Sequence, residues 1–292
     1  MKKNTKKSTK RAAQASKTRR KADVVRLEPR TKRAAKQAQF VPGAKILFFD
    51  IESTGLTADW ASVLCISWKW IDEKRVHTVT ILDSPTYATD PTNDKWLLEQ
   101  FERVYEQADA VVAHFGFIFD LRFLNTRRLL YELSPLPKAA FLDTWYFAKK
   151  HLALKSNRLA SIADYFGLEE KTPLKGSIWR AAAAGDRKAH AHIIEHCEQD
   201  IRVLEQVYYR LRPVMWNHAN MNLAAGAPLL QPAGNCPKCG SDRLQRRGRY
   251  VTRTRVQVRM QCISCGGWHL LPPQKPIAVR IDDAFAKREV AA

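Results

Sequence analysis

The segment KILFFDIESTGL, residues 45–56, constrains the fold of this chain more than any other stretch of its 292 residues. An apolar run surrounds the carboxylate of Asp50, and a polar turn at Ser53-Thr54-Gly55 follows it. The apolar residues of the run are Ile46, Leu47, Phe48, Phe49 and Ile51. A short continuous apolar run that ends at a turn signal predicts a β-strand buried on both faces.

Two carboxylates lie at the end of this strand. Asp50 and Glu52 are two residues apart, so their side chains leave an extended strand on the same face. Two anions held this close repel each other unless a positive charge lies between them, and a divalent metal ion would supply that charge. The alternative at this point is a strand that ends in two solvated acids.

The distribution of charge indicates a polyanionic partner. The net charge is +20, of which residues 1–39 carry +13 and residues 236–268 carry +7. The stretch between them, residues 40–235, has 22 basic and 23 acidic residues. A near-neutral middle with two strongly basic appendages is typical of proteins that bind nucleic acid, whereas the alternative for a basic tail is solubility alone.

Several classes of protein are excluded. Residues 1–39 have too few large apolar residues to form a core, so they predict a disordered tail. No apolar stretch follows their charges, so they do not resemble a secretory signal, and no stretch approaches the ~20 apolar residues of a membrane span. Cys65 and Cys197 are isolated, and the other four cysteines form two C-x-x-C pairs, which favours a reducing compartment.

The pattern of residues 40–213 predicts a mixed α/β domain. We expect antiparallel pairing among the first three strands, because the connections between them are short. The strands are predicted at 44–52, 61–71, 75–82 and 108–115, and the helices at 93–107, from 120, from 143, at 156–167 and at 185–212. Asp143 is predicted to cap the helix that follows it.

Three more polar residues stand at positions suited to a site. Asp120 is predicted at a strand-to-helix junction, where ligands are commonly offered to a cleft, although it could also be a helix N-cap. His196 and Asp200 are four residues apart on the last helix and therefore share a face. Asp200 precedes the buried apolar stripe, where an unpaired carboxylate is costly, whereas His196 could be an exposed helical histidine.

The order of the segments FDIES, AHFGFIFDLRFL and HCEQD resembles the three motifs of the DEDD 3′–5′ exonucleases, which have a ribonuclease H-like fold. The resemblance spans roughly residues 44–213. It implies that Asp50 and Glu52 belong to the first motif, Asp120 to the second and Asp200 to the third. The segments SNRLASIADYFGL, KTPLKGSIW and CEQDIRVLEQVYYRLRP are similar to a phage and prophage subgroup, whose members often end in a zinc ribbon. This resemblance implies the cytoplasm of a bacterial or phage-infected cell, and it leaves open a replication or repair protein as a partner.

The chain departs from that family pattern at two positions. His196 stands four residues before Asp200, where the family usually has Tyr, or His at a spacing one residue longer. Phe115 stands five residues before Asp120, where an Asn is common. All four acids of the motifs are present.

The four acids predict metal-dependent chemistry. Four carboxylates in one pocket need roughly two divalent cations to neutralise them, and oxygen ligands suit Mg²⁺ or Mn²⁺. Two ions would activate a water molecule and stabilise the departing 3′-oxygen of a phosphodiester, while His196 takes or orients the proton of that water. A competing interpretation, a zinc site formed by His190, His192 and His196, lacks the additional ligands such a site needs.

The C-terminal region predicts a zinc ribbon. Cys236, Cys239, Cys262 and Cys265 form two C-x2-C pairs 22 residues apart, a spacing typical of one structural zinc ion with four thiolate ligands. Between the pairs, alternating apolar and basic residues predict a hairpin. We expect its arginines to contact phosphates, with Tyr250 and Trp268 stacking on bases; these arginines are Arg246, Arg247, Arg249, Arg253, Arg255 and Arg259. A purely structural or protein-docking ribbon is the alternative.

These features predict an α/β protein with a ribonuclease H-like mixed sheet flanked by helices, a small zinc ribbon and a basic tail. The predicted boundaries are 1–39 for the tail, 40–213 for the exonuclease domain, 214–235 for a linker, 236–275 for the ribbon and 276–292 for a second tail. The predicted activity is 3′–5′ exonuclease hydrolysis of nucleic acid, with DNA favoured over RNA. The alternatives are an inactive nucleic-acid-binding adaptor on the same fold, an endonuclease and a ribonuclease.

Overall fold

A computed structural model describes residues 43–168, 174–226 and 234–272. In these ranges the chain is mixed α/β, as predicted, with one five-stranded mixed sheet and one three-stranded sheet. The predicted tails at 1–39 and 276–292 lie outside the described residues, as does part of the predicted linker.

The large sheet has the strand order β3-β2-β1-β4-β5. Its strands are β1 (Ile46–Ser53), β2 (Val63–Trp70), β3 (His77–Thr80), β4 (Ala110–Ala113) and β5 (Ala140–Asp143). The first three strands pair antiparallel, which confirms the expectation from their short connections. β4 pairs parallel with β1 on its other side, so β1 occupies the middle of the sheet.

The apolar run of β1 is buried on both faces, as predicted. Leu47 and Phe49 lie in one hydrophobic cluster, whereas Phe48 lies in a second cluster on the opposite face of the sheet. Successive strand residues point to opposite faces, so a strand between two cores has no polar face until it ends. In β1 the first carboxylate, Asp50, therefore marks where the face that carries Phe48 leaves the core, whereas Ile51 on the other face is still buried.

Helices cover both faces of the sheet. They are α1 (Lys95–Tyr105), α2 (Asp120–Leu130), α3 (Thr144–His151), α4 (Leu159–Phe166), α5 (Gly176–Ala183), α6 (Arg187–Leu211) and the short α7 (Met221–Ala224). The predicted cap of α3 is confirmed, because the Asp143 carboxylate accepts hydrogen bonds from the backbone N–H groups of Trp145 at 2.9 Å and Tyr146 at 3.2 Å. Asp186 caps α6 in the same way, and α6 packs across β1 and β2.

Two local features differ from the sequence prediction. β3 is shorter than the predicted 75–82, because a 3₁₀ turn begins at Ile81. Helix α5 was not predicted; it has no side-chain hydrogen bond at its N-cap, so its start carries no capping signal. In the described residues no helix is long and apolar enough to cross a membrane.

The small sheet forms the C-terminal ribbon. Its strands are β6 (Leu244–Val251), β7 (Val256–Cys262) and β8 (Trp268–Leu270). β6 and β7 pair antiparallel, which confirms the predicted hairpin, and β8 adds a strand that the sequence did not predict. The register shifts between Arg246 and Arg249, where Gly248 has a φ of 87° that a side chain would strain.

Candidate active site

The two carboxylates of β1 lie at the end of the central strand, each half-buried. They face α6, where the Oε1 atom of Glu52 is 3.9 Å from Nε2 of His196. On the neighbouring strand β2, Ser67 pairs with Asp50 and Cys65 pairs with Glu52. The alternative of a strand ending in two solvated acids is therefore wrong, because helix α6 covers this face.

His196 and Asp200 extend from α6 towards these carboxylates. Both side chains are buried, and Nε2 of His196 is 3.9 Å from Oδ2 of Asp200. The interpretation of His196 as an exposed helical histidine is therefore wrong. The indole of Trp179 on α5 meets the imidazole edge to face, with ring centroids 6.2 Å apart, so α5 forms one wall beside His196.

Asp120 contacts the same strand from the start of α2. It is the first residue of α2, only 3% exposed, and its Oδ1 accepts a hydrogen bond from the backbone N–H of Ile51 at 3.2 Å. The N-cap is Phe119, so the interpretation of Asp120 as that cap is wrong. Burial raises the pKa of Asp120 to about 7, and the nearby charge of Asp143 adds to this effect.

A strained loop leads from β4 to Asp120. Phe115 adopts a φ of 64°, and its backbone N–H donates to Oδ1 of Asp143 at 3.0 Å, while the N–H of Phe117 donates to Oδ2 at 3.1 Å. A Cβ on Gly116 would lie 2.3 Å from Cβ of Ala113, so only glycine fits between this loop and the strand. The buried Asp143 carboxylate thus holds a left-handed backbone conformation that costs free energy at a non-glycine residue.

The described residues contain two overlapping groups of side chains at this site that are able to ligate a metal ion. Glu52, His196 and Asp200 form one group, and Asp50, Glu52 and Cys197 form the other, with the ligand atoms of each group within 4.8 Å of one another. Asp120 is connected to them through the N–H of Ile51, which lies between Asp50 and Glu52.

The proposed histidine trio at 190, 192 and 196 is not among the close ligand groups of the described chain. The ring of His190 is buried against Tyr87 rather than beside His196. Burial lowers the pKa of His190, which is consistent with a neutral core histidine. The interpretation of these three residues as a zinc site is wrong for this fold.

Sequence reasoning missed Cys197. Its Sγ lies 3.6 Å from the backbone oxygen of Asp50 and 3.7 Å from Oδ2 of the same residue, and the side chain is fully buried. Burial raises the pKa of its thiol, and the neighbouring Cys65 adds to this. One signal was available: Cys197 precedes Asp200 by three residues, so both lie on the same face of α6.

The donor set fits a divalent metal ion. Carboxylate oxygens are the ligands that Mg²⁺ and Mn²⁺ prefer, and three of the four acids, together with His196, belong to the close groups. Buried carboxylates without a cation are expected to resist ionisation, and the raised pKa of Asp120 is that effect. Asp50, Glu52, Asp120 and Asp200 are therefore the residues that could hold such ions.

The cysteines of the ribbon fit zinc. Sγ of Cys236 is 3.7 Å from Sγ of Cys265, and Sγ of Cys239 is 3.7 Å from Sγ of Cys262. A tetrahedral zinc ion with Zn–S bonds of about 2.3 Å needs sulfur atoms about 3.8 Å apart, whereas a disulfide needs about 2 Å. These two pairs lie at the separation that a tetrahedral zinc site requires, and all four sulfur atoms lie within 4.8 Å of one another.

The ribbon is attached to the helix that carries His196 and Asp200. Lys238, between the first two cysteines, is buried, and its Nζ donates to the carbonyl oxygens of Arg212 at 3.1 Å and Pro213 at 3.5 Å. These carbonyls follow directly after the last residue of α6. Burial lowers the pKa of Lys238, an effect that the adjacent cysteines oppose.

Five of the six arginines predicted to bind nucleic acid are exposed on the hairpin: Arg246, Arg247, Arg249, Arg253 and Arg255. Arg259 is half-buried, with its guanidinium 5.6 Å from the centre of the Trp268 ring and its Nε donating to the carbonyl of Arg247 at 3.0 Å. Arg259 and Trp268 therefore order the hairpin, while the other arginines point into solvent.

Comparisons with known proteins agree with this fold. A sequence model of the RNase H superfamily matches residues 47–212. No curated protein matches the chain. Among solved structures, the chain is similar to the family B DNA polymerase from the hyperthermophilic archaeon Pyrobaculum calidifontis, with a TM-score of 0.50 and 15% sequence identity. The match covers 65% of this chain and 28% of the polymerase, so the two proteins share a fold over part of their lengths.

Proposed function

Because the chain belongs to the RNase H superfamily, we propose that it is a metal-dependent nuclease that removes nucleotides from the 3′ end of nucleic acid, with DNA as the favoured substrate. The single observation that carries the proposal is the convergence of Glu52 on β1 with His196 and Asp200 on α6, because the ligand atoms of these three residues lie within 4.8 Å of one another. Asp50 lies on the same strand as Glu52. The structural neighbour is a DNA polymerase, an enzyme that acts on DNA, which supports this choice of substrate.

All four acids would hold the metal ions in this mechanism, and they come from three different elements. Divalent cations, when bound, would neutralise the carboxylates and stabilise negative charge on a phosphodiester. Asp50, Glu52 and Asp200 would bind them from the strand and from α6, while Asp120 would do so from the start of α2. The hydrogen bond from the N–H of Ile51 keeps Asp120 beside the end of β1, so a change in either element disturbs both.

His196 is the proton acceptor of the proposed reaction. Its Nε2 atom lies 3.9 Å from a carboxylate oxygen of Glu52 and equally far from one of Asp200, so the protonated imidazolium that forms would be stabilised by both. A histidine titrates near neutral pH and accepts a proton from water more readily than the tyrosine that the family usually has at this position. Trp179 limits the rotation of the ring on one side.

The basic segments supply affinity in this proposal. The exposed ribbon arginines and residues 1–39 would contact phosphates, and the zinc ion would keep the ribbon folded, because a four-cysteine unit of this size has little apolar core of its own. In the described ribbon that core consists of the cysteines and Leu244.

The experiment that tests the proposal follows the ends of labelled oligonucleotides. Single- and double-stranded DNA and RNA, labelled at either end, are incubated with the protein in Mg²⁺, in Mn²⁺ and in buffer stripped of both. We expect a 3′ label to leave as a mononucleotide, a 5′ label to yield a descending ladder, and a circular single strand to stay intact.

Three variants complete this assay, two at the site and one as a control. Asp50→Ala and Asp200→Ala should nearly abolish cleavage while the fold is retained, whereas Asp72→Ala, an exposed acid in the β2–β3 turn, should cleave as the parent does. Cutting of the circle would indicate an endonuclease instead. Binding without any cleavage in either metal would identify a nucleic-acid-binding adaptor and overturn the proposed activity.

A further inference from the structure

We propose that Cys197 makes the acidic cluster a mixed oxygen–sulfur site that captures Zn²⁺ in competition with Mg²⁺. The ligands in this proposal are the Cys197 thiolate and the carboxylates of Asp50 and Glu52. The inhibitory consequence, that captured Zn²⁺ stops cleavage, rests on the proposed function, whereas the binding itself does not.

The geometry places a sulfur atom among the carboxylate oxygens. One ligand atom from each of Asp50, Glu52 and Cys197 lies within 4.8 Å of the others, and Sγ is 3.7 Å from Oδ2 of Asp50. A tetrahedral zinc ion keeps its ligand atoms between about 3.3 and 3.8 Å apart, given bonds of about 2.0 Å to oxygen and 2.3 Å to sulfur. The sulfur–oxygen separation therefore already suits a shared ion.

The elements that carry these residues hold the sulfur in position. Cys197 lies on α6 in the same turn as His196, and its Sγ also contacts the backbone oxygen of Asp50 at 3.6 Å. The side chain is fully buried, so it cannot turn to solvent. Cys65 on β2 is the neighbouring thiol, directly opposite Glu52 in the β1–β2 register.

The chemistry of the donor atoms determines which metal ion binds more tightly because of the thiolate. Mg²⁺ is a hard ion that takes oxygen ligands and keeps several waters, so a thiolate adds nothing to its binding. Zn²⁺ binds thiolates strongly and stands above Mn²⁺ in the general order of divalent affinities. Binding proceeds with loss of one proton from the Cys197 thiol to solvent, because the metal-coordinated sulfur is a thiolate.

A simpler interpretation gives Cys197 only a packing role. Buried cysteine behaves as a small apolar residue with a weak S–H donor, and here that donor would orient Asp50. Cys65 provides the matched comparison, because it is as deeply buried but is not a member of the ligand group. A packing role predicts similar effects from substitution of either cysteine, whereas a ligand role predicts an effect at Cys197 alone.

The test uses the full chain with its ribbon already loaded with zinc, and Co²⁺ is the probe. Parent protein should gain a sulfur-to-cobalt charge-transfer absorption as Co²⁺ is added, with release of one proton. Cys197→Ser, which keeps a donor to Asp50 but removes the sulfur, should lose that absorption, and Cys65→Ser should retain it. Absence of the absorption in the parent, or its persistence in Cys197→Ser, would overturn the proposal. Should the serine variant not fold, Asp50→Asn is used instead, because it keeps the thiol but should still lose the absorption. Retention of the absorption in Asp50→Asn would likewise overturn the proposal.

The inhibitory half is tested with Zn²⁺ in the cleavage assay at fixed Mg²⁺. We expect Zn²⁺ to inhibit the parent and Cys65→Ser, and the concentration for half-inhibition to rise by at least about tenfold in Cys197→Ser. Equal inhibition of the parent and Cys197→Ser would refute this half. The failure of the proposed function is distinct: a protein that never cleaves but whose cobalt absorption depends on Cys197 retains the site and loses only the nuclease activity.

Discussion

Asp120 carries a stability cost that the metal ion would remove, and this can be measured without any nuclease assay. The carboxyl is 3% exposed, and burial raises its pKa to about 7 from an ordinary value of 3.8. At 1.36 kcal/mol for each pH unit, ionising this group is roughly 4 kcal/mol harder in the folded than in the unfolded chain. At pH 8 and without metal, the folded protein bears that cost in full.

The substitution Asp120→Asn removes the charge and keeps an oxygen that accepts the hydrogen bond from Ile51. We expect the metal-free variant to be more stable than the parent at pH 8 by about 2–4 kcal/mol, below the full value because a neutral acceptor bonds less strongly than a carboxylate. Between about pH 4 and pH 7 the folded carboxyl binds its proton more tightly than the unfolded one. The stability of the parent should therefore fall through that window relative to the variant, and the difference should level off above pH 7.

Urea unfolding in buffer depleted of Mg²⁺ and Mn²⁺, with the ribbon zinc retained, measures the stability difference between parent and variant at pH 8 and its dependence on pH. Added Mg²⁺ at about 100 times its Kd should stabilise the parent by about 2.7 kcal/mol and the variant by less, because the variant has lost a ligand. Asp72→Asn, at an exposed acid, controls for the general loss of one negative charge. If Asp120→Asn is no more stable than the parent at pH 8 and has the same pH dependence, then burial does not make the ionised Asp120 carboxylate destabilising.

Four further predictions concern catalysis, binding and stability. His196→Ala should lower the cleavage rate by roughly 10²–10⁴-fold and flatten the acid limb of its pH profile; unchanged rate and profile would make the histidine a bystander. Deleting residues 1–39 should weaken nucleic-acid binding and reduce its salt dependence without changing cleavage at saturating substrate, measured by titrating cleavage-deficient protein at several salt concentrations. Lys238→Met should lower zinc affinity roughly 10–100-fold in competition with a chelating dye, because it removes a positive charge beside the thiolates and the bonds to the end of α6; unchanged affinity would contradict this. Burial lowers the pKa of His218 to about 4, so the folded protein binds this proton less readily than the unfolded chain does. The free energy of unfolding should therefore fall by roughly 3 kcal/mol as the pH drops from 6.5 to 4. Urea unfolding at matched pH should show no such fall for His218→Gln.

Local sequence patterns were sufficient for most of the regular elements, although not for α5 or β8, and for the metal-binding spacing of the ribbon cysteines. The apolar run before Asp50 predicts a two-sided buried strand because alternate residues face opposite cores, and the Asp186 cap predicts the start of α6 because its side chain satisfies free backbone N–H groups. The spacing of the ribbon cysteines predicts a common metal site, and their four sulfur atoms do lie within 4.8 Å of one another. These features depend on neighbours in the chain, which a sequence displays directly.

The tertiary structure decided which side chains meet, since that depends on elements far apart in the chain. Cys197 is 147 residues from Asp50, and only the packing of α6 across β1 brings its sulfur to the carboxylate. The same packing buries His196, while α5, which the sequence did not predict, encloses it with Trp179. The raised pKa of Asp120 arises from desolvation by burial and from the charge of Asp143, which lies at the end of β5. Lys238 likewise meets the carbonyls of Arg212 and Pro213 only because the ribbon packs against the end of α6. The free energy of this contact depends on the burial of Lys238, which no short stretch of sequence shows.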